Sequence, residues 1–267
     1  MRIVLLAQKS LYTDIVIEKC LSLQGSDVVG LFLSKTLLHG KSTLGSLKTV
    51  LRKGGVGVFC GKFLDTLFAR APHRNYPFPV FHSKNINSPD DVQEILGLKP
   101  DVIISVFFNQ IIKRPLLTLP PKGIVNIHPA YLPKYRGIGP TFWALADGEK
   151  ELGVTYHFIS QGIDTGDILA REKVEIQEDD SVHSLYLRCA RKAADMLPGA
   201  VCSLEAETFK RIPQDEKEAS YFGLPDKEGY RKLRSRGKFF ITMRDIEKLI
   251  MRNCSALPSR AKAKSRG

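Results

Sequence analysis

Short apolar runs alternate with segments of helical spacing along the first half of the chain. The runs are apolar almost throughout: Arg2–Gln8, Asp27–Leu33, Pro79–Phe81, Asp101–Phe107 and Gly123–Ile127. Between them, Leu11–Leu23 and Pro89–Leu98 carry apolar residues at helical spacing. Strands that are apolar on both faces are buried between layers of helices. The pattern therefore predicts an α/β domain with a mostly parallel sheet flanked by helices.

Two later apolar runs, Leu152–Ile159 and Ile168–Ile176, are joined by a short loop that contains two glycines. They predict a β-loop-β unit. A long helix is expected over about 181–204, with Asp180 or Ser181 as its N-cap, because such side chains accept hydrogen bonds from the first turn.

The chain is predicted to divide at about residue 205. Residues 1–205 would form one domain with an insertion at about 35–74, and residues 206–267 would form a basic C-terminal extension. The insertion is rich in Lys, Leu and Gly and predicts two short helices, each basic on one face. These helices would cover a substrate, mediate oligomer formation or contact a membrane surface through residues 44–68. The simpler interpretation is a helical cap on the sheet edge.

The net charge of +12 is concentrated near the C-terminus, where residues 209–267 hold 16 Lys/Arg and 7 Asp/Glu. A basic segment of this kind favours nucleic acid, a phosphorylated small molecule or an anionic membrane as a partner, or is simply a solvated end.

Composition argues against several classes of protein. No apolar run approaches the ~18 residues that a membrane-spanning helix needs, so no transmembrane segment is expected. The five cysteines are scattered, without CxxC or Cys/His metal spacing, which indicates reduced thiols and a cytoplasmic protein that needs no metal. The sequence also lacks the motifs of P-loop nucleotide hydrolysis and zinc proteolysis.

Candidate chemistry begins with Asn126 and His128, two positions apart at the end of an apolar run. If that run is a strand, both side chains point to one face. Asp164 and Asp167, in the later glycine-containing loop, compete to supply a carboxylate, and spacing alone does not choose between them. An amide, an imidazole and a carboxylate suffice for acyl transfer when the substrate supplies the nucleophile.

Two further polar residues have simpler interpretations. Arg136, beside the flexible Gly137, would bind an anion or merely pair with a nearby acid. His157 alternates with Tyr156 and Phe158 on a predicted strand and is interpreted as a packing or hydrogen-bonded histidine.

The chain resembles the 10-formyltetrahydrofolate-dependent formyltransferases at these positions. The resemblance rests on Asn126-Ile127-His128, Leu132-Pro133, Arg136-Gly137 and Gly162-Ile163-Asp164-Thr165-Gly166-Asp167. It is specific between about residues 100 and 194, and weaker agreement extends back to Met1. It implies a Rossmann-like formyltransferase fold, 10-formyltetrahydrofolate as co-substrate, no metal, and a catalytic triad of Asn126, His128 and Asp164.

The resemblance also implies which residues bind the two substrates. The residues expected to line the pterin pocket are Phe107, Phe108, Asn109, Gln110, Gly162 and Ile163. The residues expected to bind the acceptor are Gln8, Lys9, Arg136 and Gly137.

Departures from the family pattern bear on the acceptor. Ala130 and Tyr131 stand where Ser and Leu are usual, which alters the hydrogen bonding of that loop. The segment 8–12 lacks the glycines of the glycinamide ribonucleotide branch. About sixty residues follow the long helix, too few for the usual C-terminal domain of the methionyl-tRNA branch. The segment 220–225 resembles enzymes that act on other amines.

The expected acceptor is therefore a primary amine on a small or nucleotide-linked amino sugar. The alternatives are formylation of an aminoacyl-tRNA, hydrolysis of 10-formyltetrahydrofolate, and a non-catalytic nucleic-acid-binding module. Hydrolysis ranks third, because hydrolases of this kind carry an additional N-terminal domain and this chain starts at the first strand.

The mechanism implied by the resemblance assigns a role to each triad member. Asn126 and a protonated His128 would donate hydrogen bonds to the developing oxyanion. Asp164 would orient the imidazole or relay a proton, and its charge would raise the pKa of His128.

Overall fold

The computed structural model describes residues 1–34 and 76–255, and it centres on a seven-stranded sheet. The strands of this sheet are β1 (Arg2–Gln8), β2 (Asp27–Ser34), β3 (Val80–Ser83), β4 (Val102–Val106), β5 (Ile124–His128), β7 (Glu151–Phe158) and β8 (Ile168–Glu175). Their order is β3-β2-β1-β4-β5-β7-β8, and the first five strands are parallel. Only β7 runs against its neighbours. The predicted mostly parallel α/β sheet is confirmed.

Helices cover both faces of the sheet. They are α1 (Leu11–Leu21), α2 (Pro89–Gly97), α3 (Pro140–Asp147), α4 (Val182–Glu205), α5 (Lys227–Ser235) and α6 (Met243–Ser255), with 3₁₀ turns at Leu116–Thr118 and Glu216–Glu218. Ser10 begins α1 and Ser181 begins α4, each through a reciprocal capping box that satisfies otherwise unpaired amides. Of the two caps predicted for the long helix, Asp180 and Ser181, the structure uses Ser181.

Alternation along the strands separates two packing layers. Val125 and Ile127 of β5 face the core formed with α1 and α4. Ile103 and Ile124 belong to the other layer, which packs against α2. Because successive side chains alternate, Asn126 and His128 share the face of Ile124.

The strand order creates a crevice at the carboxyl ends of β1 and β4. The chain leaves β1 toward β2 on one side, whereas β4 lies on the other side. Open α/β sheets bind ligands at such a switch point, because the connecting loops diverge there.

The segment after residue 205 is bound to the sheet domain at several places. Its short strand β9 (Tyr221–Phe222) pairs in parallel with β6 (Arg136–Gly137). Gly229 of α5 packs so closely on α3 that a Cβ there would come within 2.7 Å of the Trp143 ring. The basic extension begun at residue 206 therefore reaches back over the loop that follows His128.

One expectation falls on the undescribed part of the chain. The insertion at about 35–74, including the surface at 44–68, lies outside the described residues. Within residues 1–34 and 76–255, no helix is long and apolar enough to cross a membrane.

Gly166 illustrates how tightly the β7–β8 loop packs. A Cβ at this position would lie 1.8 Å from the Phe158 carbonyl oxygen, whereas a Cβ at Gly199, in α4, would meet nothing within 4 Å. We expect Gly166→Ala to lower the free energy of unfolding by about 1–3 kcal/mol, as overpacking does. Gly199→Ala should raise it by about 0.5–1 kcal/mol, because alanine favours a helix interior.

Urea denaturation of both variants measures the difference. Equal stability of the two variants would contradict the tight approach of this loop to β7.

Candidate active site

Asn126 and His128 lie at the carboxyl end of β5, with their side chains on the same face. His128 is the last residue of the strand and is 5% exposed. On β4, Ser105 lies directly opposite Asn126 and donates its hydroxyl proton to the Asn126 Oδ1 atom at 2.7 Å. Because successive side chains of a strand alternate between its faces, the Asn126 amide and the His128 imidazole lie on the same face, as the sequence predicts.

The loop between β7 and β8 brings a carboxylate to the same place. Asp164 adopts a left-handed conformation (φ 54°), which is unusual for a residue with a side chain. Its Oδ2 atom lies 3.6 Å from the His128 Nδ1 atom and accepts a hydrogen bond from the Gly137 amide at 2.9 Å. Asp164, not Asp167, is the carboxylate that approaches the imidazole.

His157, interpreted from the sequence as a packing or hydrogen-bonded histidine, is hydrogen-bonded and lies in this cluster, which the sequence does not predict. It pairs with Asn126 across the antiparallel β5–β7 ladder. Its Nε2 atom lies 3.1 Å from the Asn126 Nδ2 atom and 3.5 Å from the Asp164 Oδ1 atom. Strand alternation could not reveal this position, because it depends on the register between two strands that are distant in sequence.

A chain of hydrogen bonds fixes the orientation of the Asn126 amide. The Nδ1 atom of His157 lies 3.0 Å from the Phe158 carbonyl, so Nδ1 carries the proton and donates. In the neutral ring the Nε2 atom of His157 is then the acceptor for the Asn126 amide group. With Oδ1 held by Ser105, the second N–H of Asn126 remains for a ligand.

A backbone carbonyl sets the tautomer of His128 in the same way. The Nε2 atom lies 2.8 Å from the Tyr135 carbonyl oxygen and must donate to it. In the neutral ring the Nδ1 atom is therefore unprotonated, and this is the atom that faces Asp164.

Asp164 raises the pKa of His128, as the sequence predicts, but it does not set the net direction of the shift. Burial of the imidazole lowers its pKa below the ordinary value of 6.5, and this effect outweighs the opposing charge of Asp164. The Tyr135 carbonyl also raises the pKa, and His157 lowers it. A pKa below the ordinary value favours the neutral imidazole at neutral pH, whereas the resemblance implies a protonated donor.

Asp164 keeps its charge despite being buried. Burial raises the pKa of the carboxyl group, but His128, His157 and the Gly137 amide together hold it well below its ordinary value. The site at neutral pH thus combines an amide donor, a neutral imidazole with a free nitrogen lone pair, and a carboxylate.

Arg136, a predicted acceptor-binding residue, has its guanidinium group engaged within the protein. The residue is 5% exposed. It donates from Nε and Nη2 to the Gln214 side-chain oxygen and from Nη1 and Nη2 to the Glu216 carboxylate. Of the two interpretations from the sequence, the structure shows pairing with a nearby acid, Glu216. Gly137 contacts Asp164 through its amide, so its part in the site is to hold the carboxylate.

The predicted pterin-pocket residues after β4 do not share one location. Phe107 turns toward α4, where its ring centroid lies 5.1 Å from that of Tyr186. Phe108 packs in the other layer, on the face of Ser105. Gln110 is buried and uses its amide inside the protein, donating to the Ser34 hydroxyl and the Ser83 carbonyl and accepting from the Ile86 amide. Phe107 and Gln110 therefore contact other parts of the protein, whereas Phe108 lies on the same face of the sheet as Asn126 and His128.

The remaining predicted contacts lie around the same edge. Ile163, next to Asp164, is 47% exposed. At Gly162 a Cβ would come within 2.3 Å of the Thr165 hydroxyl oxygen, so loop packing explains the glycine. Gln8 and Lys9 follow β1 at the switch point, with Lys9 exposed. Asn109 is next to Phe108 in the segment that follows β4.

No three metal-binding side chains among residues 1–34 and 76–255 are arranged to hold a metal ion.

Comparison with known proteins assigns this arrangement to a family. Methionyl-tRNA formyltransferase from Kosmotoga olearia is 37% identical over 161 residues, which are 60% of this chain and 52% of that protein. The chain spans about half the length of the curated relatives it matches.

Solved structures share the fold. An N-formyltransferase from Helicobacter canadensis, in complex with folinic acid and dTDP-3-aminofucose, matches with a TM-score of 0.56 and 21% identity over 84% of this chain and 71% of that one. Phosphoribosylglycinamide formyltransferase from Anaplasma phagocytophilum matches with a TM-score of 0.58 and 17% identity over 84% of this chain and 98% of that one. The formyl transferase family model matches residues 1–201. This protein therefore belongs to the formyl transferase family.

Proposed function

We propose that this protein transfers a formyl group from 10-formyltetrahydrofolate to a primary amine of an acceptor. The observation that supports the proposal is the convergence of Asn126, His128 and Asp164 at the carboxyl edge of the sheet, in a chain of the formyl transferase family. These are the groups that acyl transfer needs when the nucleophile belongs to the substrate.

Asn126 is suited to stabilise the oxygen that gains negative charge as the amine attacks. Its amide is fixed by Ser105 and His157, so the remaining N–H does not have to reorganise during the reaction. Preorganised donors of this type are each worth about 3 kcal/mol of transition-state stabilisation.

His128 and Asp164 are suited to take the proton that the attacking amine loses. The unprotonated Nδ1 atom of His128 is the base, and the resulting imidazolium is stabilised by the carboxylate 3.6 Å away. A low pKa in the resting site keeps the base available at neutral pH. This assignment replaces the protonated His128 expected from the sequence.

The residues near the triad are suited to bind a formyl donor that is planar and partly apolar. Phe108 is half-buried on the triad face, and the exposed Ile163 side chain adjoins Asp164. These two would hold the pterin of 10-formyltetrahydrofolate, which supplies the activated formyl group when bound. Asn109, between Phe108 and Gln110, stays a predicted member of this pocket.

For the acceptor, we propose an amino sugar linked to a nucleotide. Lys9 is an exposed cation at the switch point, suited to a phosphate group. Tyr12, three residues after Lys9, packs edge-on against Tyr186 with ring centroids 4.1 Å apart, and would supply an aromatic contact to a base. The relative from Helicobacter canadensis was crystallised with such a nucleotide-linked amino sugar.

An aminoacyl-tRNA is the second candidate acceptor. The relative from Kosmotoga olearia is a methionyl-tRNA formyltransferase, and helix α5 with the residues after it is rich in Lys and Arg. Several of these charges are already paired, for example Arg231 with Glu228 and Lys232 with Asp147, which weakens this alternative.

Replacing Asn126 or His128 by alanine should lower formyl transfer by about a hundredfold or more, because each removes a group that acts in the transition state. Folate binding should stay within about threefold of wild type. Release of tetrahydrofolate measures turnover, and calorimetric titration with folinic acid measures binding. The exposed His82, on β3 at the sheet edge, provides the control His82→Ala, which should leave turnover unchanged. Retained turnover in both triad variants would overturn the assignment.

The pH dependence of transfer should report His128. The rate should fall at acidic pH with a midpoint below 6.5, because burial lowers the pKa of the imidazole and only its neutral form acts as base. Asp164→Asn should lower the rate and move the midpoint to still lower pH, because the carboxylate opposes the effect of burial. A midpoint that rises in this variant would contradict the pairing of Asp164 with His128.

A screen of amines separates the two acceptors. With 10-formyltetrahydrofolate, we expect turnover with nucleotide-linked amino sugars, and Lys9→Ala should raise the KM for these acceptors. Faster turnover with charged initiator tRNA, with a KM that rises steeply with salt as phosphate contacts require, would favour the second candidate. Tetrahydrofolate released equally with and without any amine would indicate hydrolysis instead.

A further inference from the structure

The loop that carries Asp164 is held by a residue beyond the part of the chain that the family model matches. Gln214 donates from its side-chain nitrogen to the Asp164 carbonyl at 2.8 Å and to the Gly166 carbonyl at 2.7 Å. The matched region ends at residue 201. Both hydrogen atoms of this amide are therefore used on the loop, one on each side of Thr165.

The oxygen of the same amide is held from the opposite side. It accepts hydrogen bonds from Arg136 Nε at 3.0 Å and from Arg136 Nη2 at 2.8 Å. Because Arg136 is buried, Gln214 lies between a fixed cation and two loop carbonyls. Arg136, Gln214, Asp164 and Gly137, whose amide binds the Asp164 carboxylate, form a closed circuit that we call the Gln214 bridge.

Asp164 needs such support because its backbone is left-handed. A residue with a side chain occupies that region only when its surroundings hold it there. The bridge holds Asp164 by its carbonyl through Gln214 and by its carboxylate through Gly137. Both contacts act on the atoms that set the distance from the carboxylate to His128.

We propose that Gln214 is a positioning residue for the formyl transfer reaction, acting through Asp164 on His128. This inference rests on the proposed function. It assigns the first part of the C-terminal extension a role in the catalytic site, although that part contacts none of the reacting groups directly.

Two substitutions test whether Gln214 positions Asp164 or only attaches the C-terminal segment to the sheet domain. Gln214→Ala removes the four hydrogen bonds that the Gln214 side chain makes to Arg136, Asp164 and Gly166. Gln214→Glu keeps an oxygen for Arg136 but points a second oxygen at the Asp164 and Gly166 carbonyls, which repel it. Glu216→Ala is the matched control, because Glu216 binds the same arginine but its carboxylate is 71% exposed and has no bond to the Asp164 loop.

We expect Gln214→Ala and Gln214→Glu to lower kcat at least tenfold while the KM for each substrate stays within threefold. Glu216→Ala should keep kcat within twofold. A bridge that merely attaches the segment would instead leave Gln214→Glu active, since the contact to Arg136 persists. Activity of Gln214→Glu close to wild type would therefore overturn the proposal.

Titration of the His128 ring by NMR gives a readout that does not depend on turnover. The charged and titratable groups facing this ring are Asp164 and His157, together with the Tyr135 carbonyl dipole. If Gln214→Ala lets the carboxylate move away, the pKa of His128 falls, in the same direction as in Asp164→Asn. An unchanged His128 pKa in Gln214→Ala would overturn the proposal that Gln214 positions Asp164.

The two readouts also keep the proposals distinct. A wild-type protein that formylates no amine would refute the proposed function, whereas the titration would still decide whether Gln214 positions Asp164. Thermal unfolding of each variant checks that the changes in kcat arise in folded protein.

Discussion

The buried carboxylate of Asp164 is the constraint on which the site depends. An isolated charge in such surroundings is costly, so it persists only where donors and partner charges compensate for lost water. Here the Gly137 amide, His128 and His157 surround it. These three contacts hold the carboxylate beside the imidazole, and together they lower the pKa of the carboxyl group.

Three parts of the chain must meet for this to occur. Strand β5 supplies Asn126 and His128, the reversed strand β7 supplies His157, and the β7–β8 loop supplies Asp164. The antiparallel pairing of β7 is important, because it sets His157 opposite Asn126. Strand β7 ends opposite Val125, and the loop that follows it brings Asp164 to His128.

The C-terminal extension is integrated with this arrangement. Strand β9 pairs with β6, in the loop that follows His128. Gln214 and Glu216 together accept hydrogen bonds from the Arg136 guanidinium group. An arginine that appears suited to bind a substrate anion is instead used to brace the loops. Burying a guanidinium requires that most of its donors be satisfied, and here an amide and a carboxylate from one short segment satisfy four of them.

Local patterns in the sequence determined the α/β class, the main strands, the cap at Ser181 and the shared face of Asn126 and His128, because these follow from periodicity and from hydrogen bonding between near neighbours. Family resemblance, not spacing, selected Asp164 over Asp167. Only the tertiary structure decided the place of His157, the separation of Phe107 from Phe108, and the engagement of Arg136 and Gln110. It also decided the direction in which the pKa of His128 shifts, since burial arises only on folding. Each of these depends on register or desolvation between segments far apart in the chain, which no local pattern encodes.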